Sequence, residues 1–171
     1  MKGAIVRIEL AACAWLALAC LAACDSGDLG LADSANGELR PLVTLTVPAE
    51  SNGDWDVSDP KVAITTHNDR PVLFFKEGDS DVAVACPTPA EARGAGSVSL
   101  RVGSDGPIEF RLEIGDRTTR TMPMGPTRRQ WRELVFRFDR PLGEDEVGVP
   151  LRIVRTSSEM PVVVEAVRFL P

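Results

Sequence analysis

The chain has 171 residues, 26% of them charged, and its 19 basic and 25 acidic side chains give a formal charge of −6. An acidic surface of mixed sign argues against nucleic acid as a partner, since phosphate binding needs a basic footprint, and against peripheral adhesion to anionic lipid. The length suits one domain with a core of its own.

The first element is a leader. Lys2 and Arg7 precede an uncharged run from Leu10 to Ala23, which is how a secretory signal divides. As a helix, about 14 residues span roughly 21 Å, short of the ~30 Å hydrocarbon core of a bilayer. Leu21-Ala22-Ala23-Cys24, followed by the polar Asp25-Ser26-Gly27-Asp28, resembles the lipobox of bacterial lipoproteins. That resemblance implies cleavage before Cys24, diacylglycerol on its thiol, and a place in the bacterial cell envelope, lipid-anchored to a membrane. Ordinary secretion with cleavage nearby is the alternative. Several acyl chains at about 0.8 kcal/mol per buried methylene make such an anchor lasting, and Asp25 resembles an inner-membrane retention signal. Without Lys2, Arg7 and Glu9 the remaining residues carry 17 basic and 24 acidic groups, a formal −7.

Residues 24–40 then read as a lipidated N-terminus and flexible linker. Asp, Ser, Gly, Ala and Asn dominate from Asp25 on, a composition too polar to pack, with an r.m.s. reach of roughly 20–24 Å.

From 41 to 171 the pattern is one of strands. Leu42 to Val47 is the first, Lys61 to Thr66 the second, and the apolar run from Pro71 to Lys76 the third. Asp81 to Cys86 follows. Val98, Leu100 and Val102 then alternate with polar residues, as do Ile108, Phe110, Leu112 and Ile114. Gly115-Asp116 is a hairpin signal leading into a return over Thr118 to Met122. Leu134, Phe136 and Phe138 form one further alternating set, Val147, Val149, Leu151 and Ile153 another, and Pro161 to Phe169 closes the chain. Pro150 inside such a strand points to an edge or a bulge. Glu91-Ala92-Arg93 supports one helical turn at most. Nine or ten short strands without intervening helices predict an all-β, antiparallel β-sandwich of jelly-roll type. Cys86 is the thiol left over once Cys13 and Cys20 depart with the leader and Cys24 is acylated; after Val82-Ala83-Val84-Ala85 it reads as buried and inert.

The second half carries a likeness. Arg101-Val102-Gly103, Phe110-Arg111-Leu112, Gln130-Trp131 through Phe138, Leu151-Arg152-Ile153 and Val163 to Phe169 resemble, in that order, the jelly-roll carbohydrate-binding modules of the galactose-binding-like class. The closing strand departs from the family pattern at Ala166, where a second acidic residue is usual. The resemblance implies the fold, a core position for Trp131, and a structural calcium as an option. Sugar binding in that class uses aromatic faces, and after residue 23 the chain has no tyrosine and only two tryptophans, Trp55 and Trp131.

Candidate ligand-binding residues follow. Trp55 stands between Asp54 and Asp56 in a loop, where an exposed aromatic has a use; the other reading folds it back over the end of the sandwich. His67 is the one histidine, in Thr66-His67-Asn68-Asp69, with no nucleophile marked by context. Nitrogen–sulfur metal ligation has no motif. Oxygen ligands for calcium are conceivable at Asp54, Asp56 and Asp59, at Asp79 and Asp81, or at Glu144-Asp145-Glu146, although none matches a calcium loop. No catalytic set, cofactor or assigned metal site emerges. The leading expectation is a non-catalytic envelope lipoprotein whose sandwich binds or braces an envelope protein; the alternative is a carbohydrate-binding module recognising an envelope or extracellular glycan.

Overall fold

The computed structural model describes residues 39–49 and 55–171, so Cys24, the leader, most of the linker and Asp54 lie outside the described residues. Eleven strands alternate in burial: β1 (Val43–Thr46), β2 (Val62–His67), β3 (Arg70–Phe75), β4 (Val82–Cys86), β5 (Ser97–Ser104), β6 (Ile108–Ile114), β7 (Arg117–Thr118), β8 (Met122–Met124), β9 (Arg132–Arg137), β10 (Leu151–Ser158) and β11 (Val162–Leu170). Two short 3-10 turns, Ala90–Ala92 and Glu144–Glu146, are the helical pieces among the described residues, and none there is long and apolar enough to cross a membrane.

The strands form two antiparallel sheets. Sheet A runs β2-β3-β11-β5-β9, with β1 also paired to β11; sheet B runs β4-β10-β6-β7, with β8 on β6. Because side chains alternate across each strand, one face of each sheet turns inward. Leu73, Phe75, Val98, Leu100, Leu134, Phe136 and Phe169 come from sheet A, and Val84, Ile108, Phe110, Leu112, Leu151 and Ile153 from sheet B. Phe75 and Phe110 meet edge to face across the gap, their centroids 5.6 Å apart. The expected all-β antiparallel sandwich is what forms, and the expected core residues fill it except Phe138, which lies past the end of β9 and is only partly buried against the core.

Two local expectations fail. Val147 and Val149 belong to no strand; they flank a left-handed Gly148 (φ 81°) just after the 3-10 turn Glu144–Glu146, and the strand begins only at Leu151. Pro150 therefore precedes β10, a central strand that a mid-strand proline would disrupt. The return after Gly115-Asp116 is also broken, into β7 and β8. Between them Thr119 still serves sheet B, donating its N–H to Leu112 O (2.8 Å) and accepting Leu112 N–H on Oγ1 (2.9 Å).

Cys86 sits in the core as expected, fully buried and unpaired. Burial, which disfavours the thiolate, pushes its pKa up to about 12. A thiol reagent such as Ellman's is expected to leave Cys86 untouched in the native domain and to react stoichiometrically once the domain is unfolded in guanidinium.

Candidate functional site

The outward face of sheet A holds the most developed constellation. It begins with a register shift. β11 pairs with β5 in step up to Val164 opposite Val102, then resumes with Ala166 opposite Arg101, so Glu165 is an extra residue in the strand. The bulge aims the Glu165 carboxylate at the outer face, where it is only 8% exposed. Two arginines meet it there. Arg70, at the start of β3, donates from Nη1 to Oε1 at 2.8 Å. Arg101, on β5, places Nε 3.0 Å from Oε2, an ion pair without hydrogen-bond alignment, since that oxygen has no hydrogen-bond donor among the described residues.

Arg70 comes to this point because of a tight hairpin. β2 and β3 are joined by Asn68-Asp69, both left-handed at φ 50° and 60°. These are the residue types that tolerate that region, and the paired positive φ matches the right-handed strand twist. His67 and Arg70 flank the turn as a cross-strand pair.

Trp131 completes the group. It immediately precedes β9, in phase with Glu133 and Val135 rather than with Leu134 and Phe136, and so belongs outside. The core position implied by the family likeness is corrected accordingly: the indole is half-buried on the outer face and takes no part in the core. It lies against Gly103, where a Cβ would stand 3.5 Å from Cζ3; the missing side chain is what lets the ring approach the sheet. The Arg101 guanidinium sits 5.7 Å from the indole centroid, and the His67 ring meets it edge-on at 5.6 Å. Cation–π and edge-to-face geometries of this kind fix an indole without enclosing it. Nearby, Glu133 accepts from Ser99 Oγ and from Arg168 Nη1, each at 2.8 Å.

The other candidates are dispersed. Trp55 is 7% exposed and part of the core. Asp56 beside it bridges to Ala85 of β4, so the chain is drawn onto sheet B and the indole is carried inward; Trp55 offers no free ring face. Asp56 itself lines an open cleft of about 310 Å3 on sheet B, together with Asp59, Ala83, Ala85 and Arg152. Each aspartate there caps its own turn, Asp56 accepting from Ser58 N–H (3.1 Å) and Asp59 from Lys61 N–H (2.8 Å). His67 and Asp56 thus stand on opposite sheets and form no single site.

The carboxylate groups considered for calcium are engaged elsewhere. Asp81 accepts from Arg111 Nη2 at 2.6 Å, and that hydrogen bond, with the charge of Arg111, holds its carboxyl below the usual range. Glu146 is gripped by Arg117 Nε at 2.6 Å and by the Gly143 N–H at 2.7 Å. Among the described residues no three His, Cys, Asp or Glu side chains are grouped to hold a metal ion.

Comparison with known proteins bears on this architecture. No protein-family model and no curated protein matches the chain. Solved structures do. CsCBM6-3 of Clostridium stercorarium, solved with cellobiose, is 18% identical over 78% of this chain and 98% of its own, with a TM-score of 0.50. The chain shares the β-sandwich fold of carbohydrate-binding modules. A family 6 module studied for its binding sub-sites matches with 13% identity over 78% and 98% of the two chains (TM-score 0.50). A point variant of CBM29-2, from family 29, matches with 10% identity over 75% and 92% (TM-score 0.50). At these identities the likeness is one of fold.

Proposed function

We propose that the protein is a non-catalytic glycan-binding module of the bacterial envelope, tethered to a membrane through acylated Cys24. The observation that carries the reading is Trp131. An indole held on the outer face of a sheet, with Arg101, His67 and Glu133 around it, supplies an apolar ring face for a pyranose and hydrogen-bonding groups for its hydroxyls. The fold shared with carbohydrate-binding modules supports the same assignment. The residues that an enzyme would recruit are otherwise occupied: the single histidine leans on Trp131 and the single core thiol is protonated and inaccessible.

The test is affinity for a polysaccharide panel by pull-down and calorimetry. Trp131→Ala is expected to weaken binding by about 2 kcal/mol, roughly thirtyfold, with the thermal transition retained because the indole lies outside the core. Unchanged affinity in a folded Trp131→Ala protein would move the site elsewhere. The anchor has its own test. Cys24→Ser is expected to shift the protein from the detergent phase to the aqueous phase on cell fractionation; a variant that stays with the membranes would refute acylation at Cys24.

A further inference from the structure

We infer that the ligand of the Trp131 face is an acidic glycan, one that carries carboxylate or sulfate groups. The inference rests on the glycan-binding reading and adds the charge of the ligand.

The first observation is a local reversal of sign. The outward positions of the sheet A strands present Arg70, Arg101, Arg137 and Arg168 against Glu133 and Glu165, on a chain whose net charge is −6. Pairing does not cancel the excess. Glu165 offers one carboxylate to two guanidiniums, so the group touching the indole keeps a formal positive charge. The Arg70 side chain is 67% exposed, which leaves N–H groups facing solvent beyond the one that Glu165 takes. A guanidinium beside an aromatic ring recognises an oxyanion through charge-assisted, often paired hydrogen bonds, while the ring orients the sugar that bears it.

The second observation is independent of the strands. Immediately before Trp131, Arg128 and Arg129 are exposed and both left-handed, at φ 53° and 65°. The turn is closed by Gln130 N–H donating to Thr127 O at 3.1 Å. Thr127 is buried and held to Ser104 three times: its N–H donates to Ser104 O (2.7 Å), its Oγ1 hydroxyl donates to the same oxygen (3.0 Å), and that Oγ1 accepts the Ser104 N–H (3.0 Å). The hairpin at Asn68-Asp69 adopts the same paired left-handed conformation with residues suited to it. At Arg128-Arg129 the conformation is strained, and strained backbone retained at the rim of a site is where function opposes local preference. With Asp69 of the neighbouring hairpin and Asp105 beside Ser104 counted against these two arginines, the loops at this end are balanced, and the positive excess is that of the strands.

The experiment uses the full-length protein in detergent, with calorimetric titration at 50 and 500 mM NaCl. The probes are oligogalacturonate for carboxylate, a heparin-derived oligosaccharide for sulfate, and neutral cello-, manno- and xylo-oligosaccharides. One or both acidic probes are expected to bind at least about tenfold tighter than any neutral one at low salt, and to lose about tenfold or more at high salt as screening shortens. The double variant Arg128→Asn, Arg129→Gly keeps the turn and is expected to weaken the acidic probe about tenfold at 50 mM NaCl. Neutral probes bound as tightly, through Trp131 and without salt dependence, would overturn the acidic assignment and leave the glycan reading intact. No oligosaccharide bound, or short-chain phosphatidylglycerol bound at the site in their place, would overturn both.

Discussion

Phe110→Ala is expected to cost about 3–5 kcal/mol of stability, measured by guanidinium unfolding with an unchanged slope. Phe110 is fully buried on sheet B and its ring meets Phe75 of sheet A edge to face, so truncation empties the space between the sheets rather than a margin that can collapse. The lost aromatic pair adds about 0.5–1.5 kcal/mol to the transfer and cavity costs. Phe136→Ala, at 1% exposure, belongs in the same range. Val135→Ala, on the outward phase of the same strand, is expected to stay within about 0.5 kcal/mol. Equal losses at Phe136 and Val135 would invert the strand phase on which the core assignment and the place of Trp131 both depend.

The second large effect has the opposite sign. Arg155 continues the inward series Leu151, Ile153 on β10 and is 0% exposed. Nη1 donates to Gly78 O, but Nε and Nη2 have no hydrogen-bond partner among the described residues. Burial lowers its pKa, only partly opposed by the charges of Asp59, Asp79, Asp81 and Glu77. A buried charge with unmet donors costs more than it returns. Arg155→Met, close in length and without donors, is expected to raise stability by about 1–4 kcal/mol, whereas Arg155→Ala leaves a cavity and is expected to destabilise. The gain is expected to be largest in acid. Asp81, whose folded pKa is lowered first by the Arg111 hydrogen bond and further by the charges of Arg111 and Arg155, contributes stability in full above its unfolded value, about pH 4. That contribution disappears as pH falls through the lowered folded value. Protonation of Asp81 then removes part of the attraction that offsets the burial of Arg155, a loss the methionine variant does not suffer. A methionine variant less stable than wild type at every pH would show that Arg155 has partners worth more than its burial costs.

These residues also show what the sequence makes legible. Strict alternation at Val98–Val102, Ile108–Ile114 and Leu134–Phe136 identified the sandwich, because inward and outward positions of a half-buried strand differ in polarity. The same alternation carries Trp131 outward, and the phase was available from Leu134 and Phe136; the family likeness drew it inward instead. Val147 and Val149 misled for the converse reason: two apolar residues at period two match a strand by spacing alone, whereas left-handed Gly148 between them (φ 81°) turns the chain out of the extended conformation. Trp55 was half legible: folding back over the end of the sandwich was one of its two readings, and what decides for it is the bridge between Asp56 and Ala85, a contact 29 positions apart. Glu165 was invisible as a site residue because its direction depends on a one-residue bulge. Arg155 did break the apolar series of its strand, and a charged residue in an inward register was a signal that the sequence carried.

The pairing of β1 with β11 has a mechanical consequence. Leu42 N–H donates to Phe169 O at 2.8 Å, and Val43 stands opposite Phe169, so the chain enters the sandwich beside the place where it leaves. A pull applied between residues 41 and 170 therefore loads neither core nor hairpins. It opens the β1–β11 ladder from that end, breaking hydrogen bonds one after another as in a zipper, the geometry in which a strand yields at low force. In a single-molecule experiment with handles at these two positions, β1 would peel away first as a small early step, and the two sheets would give way together only afterwards.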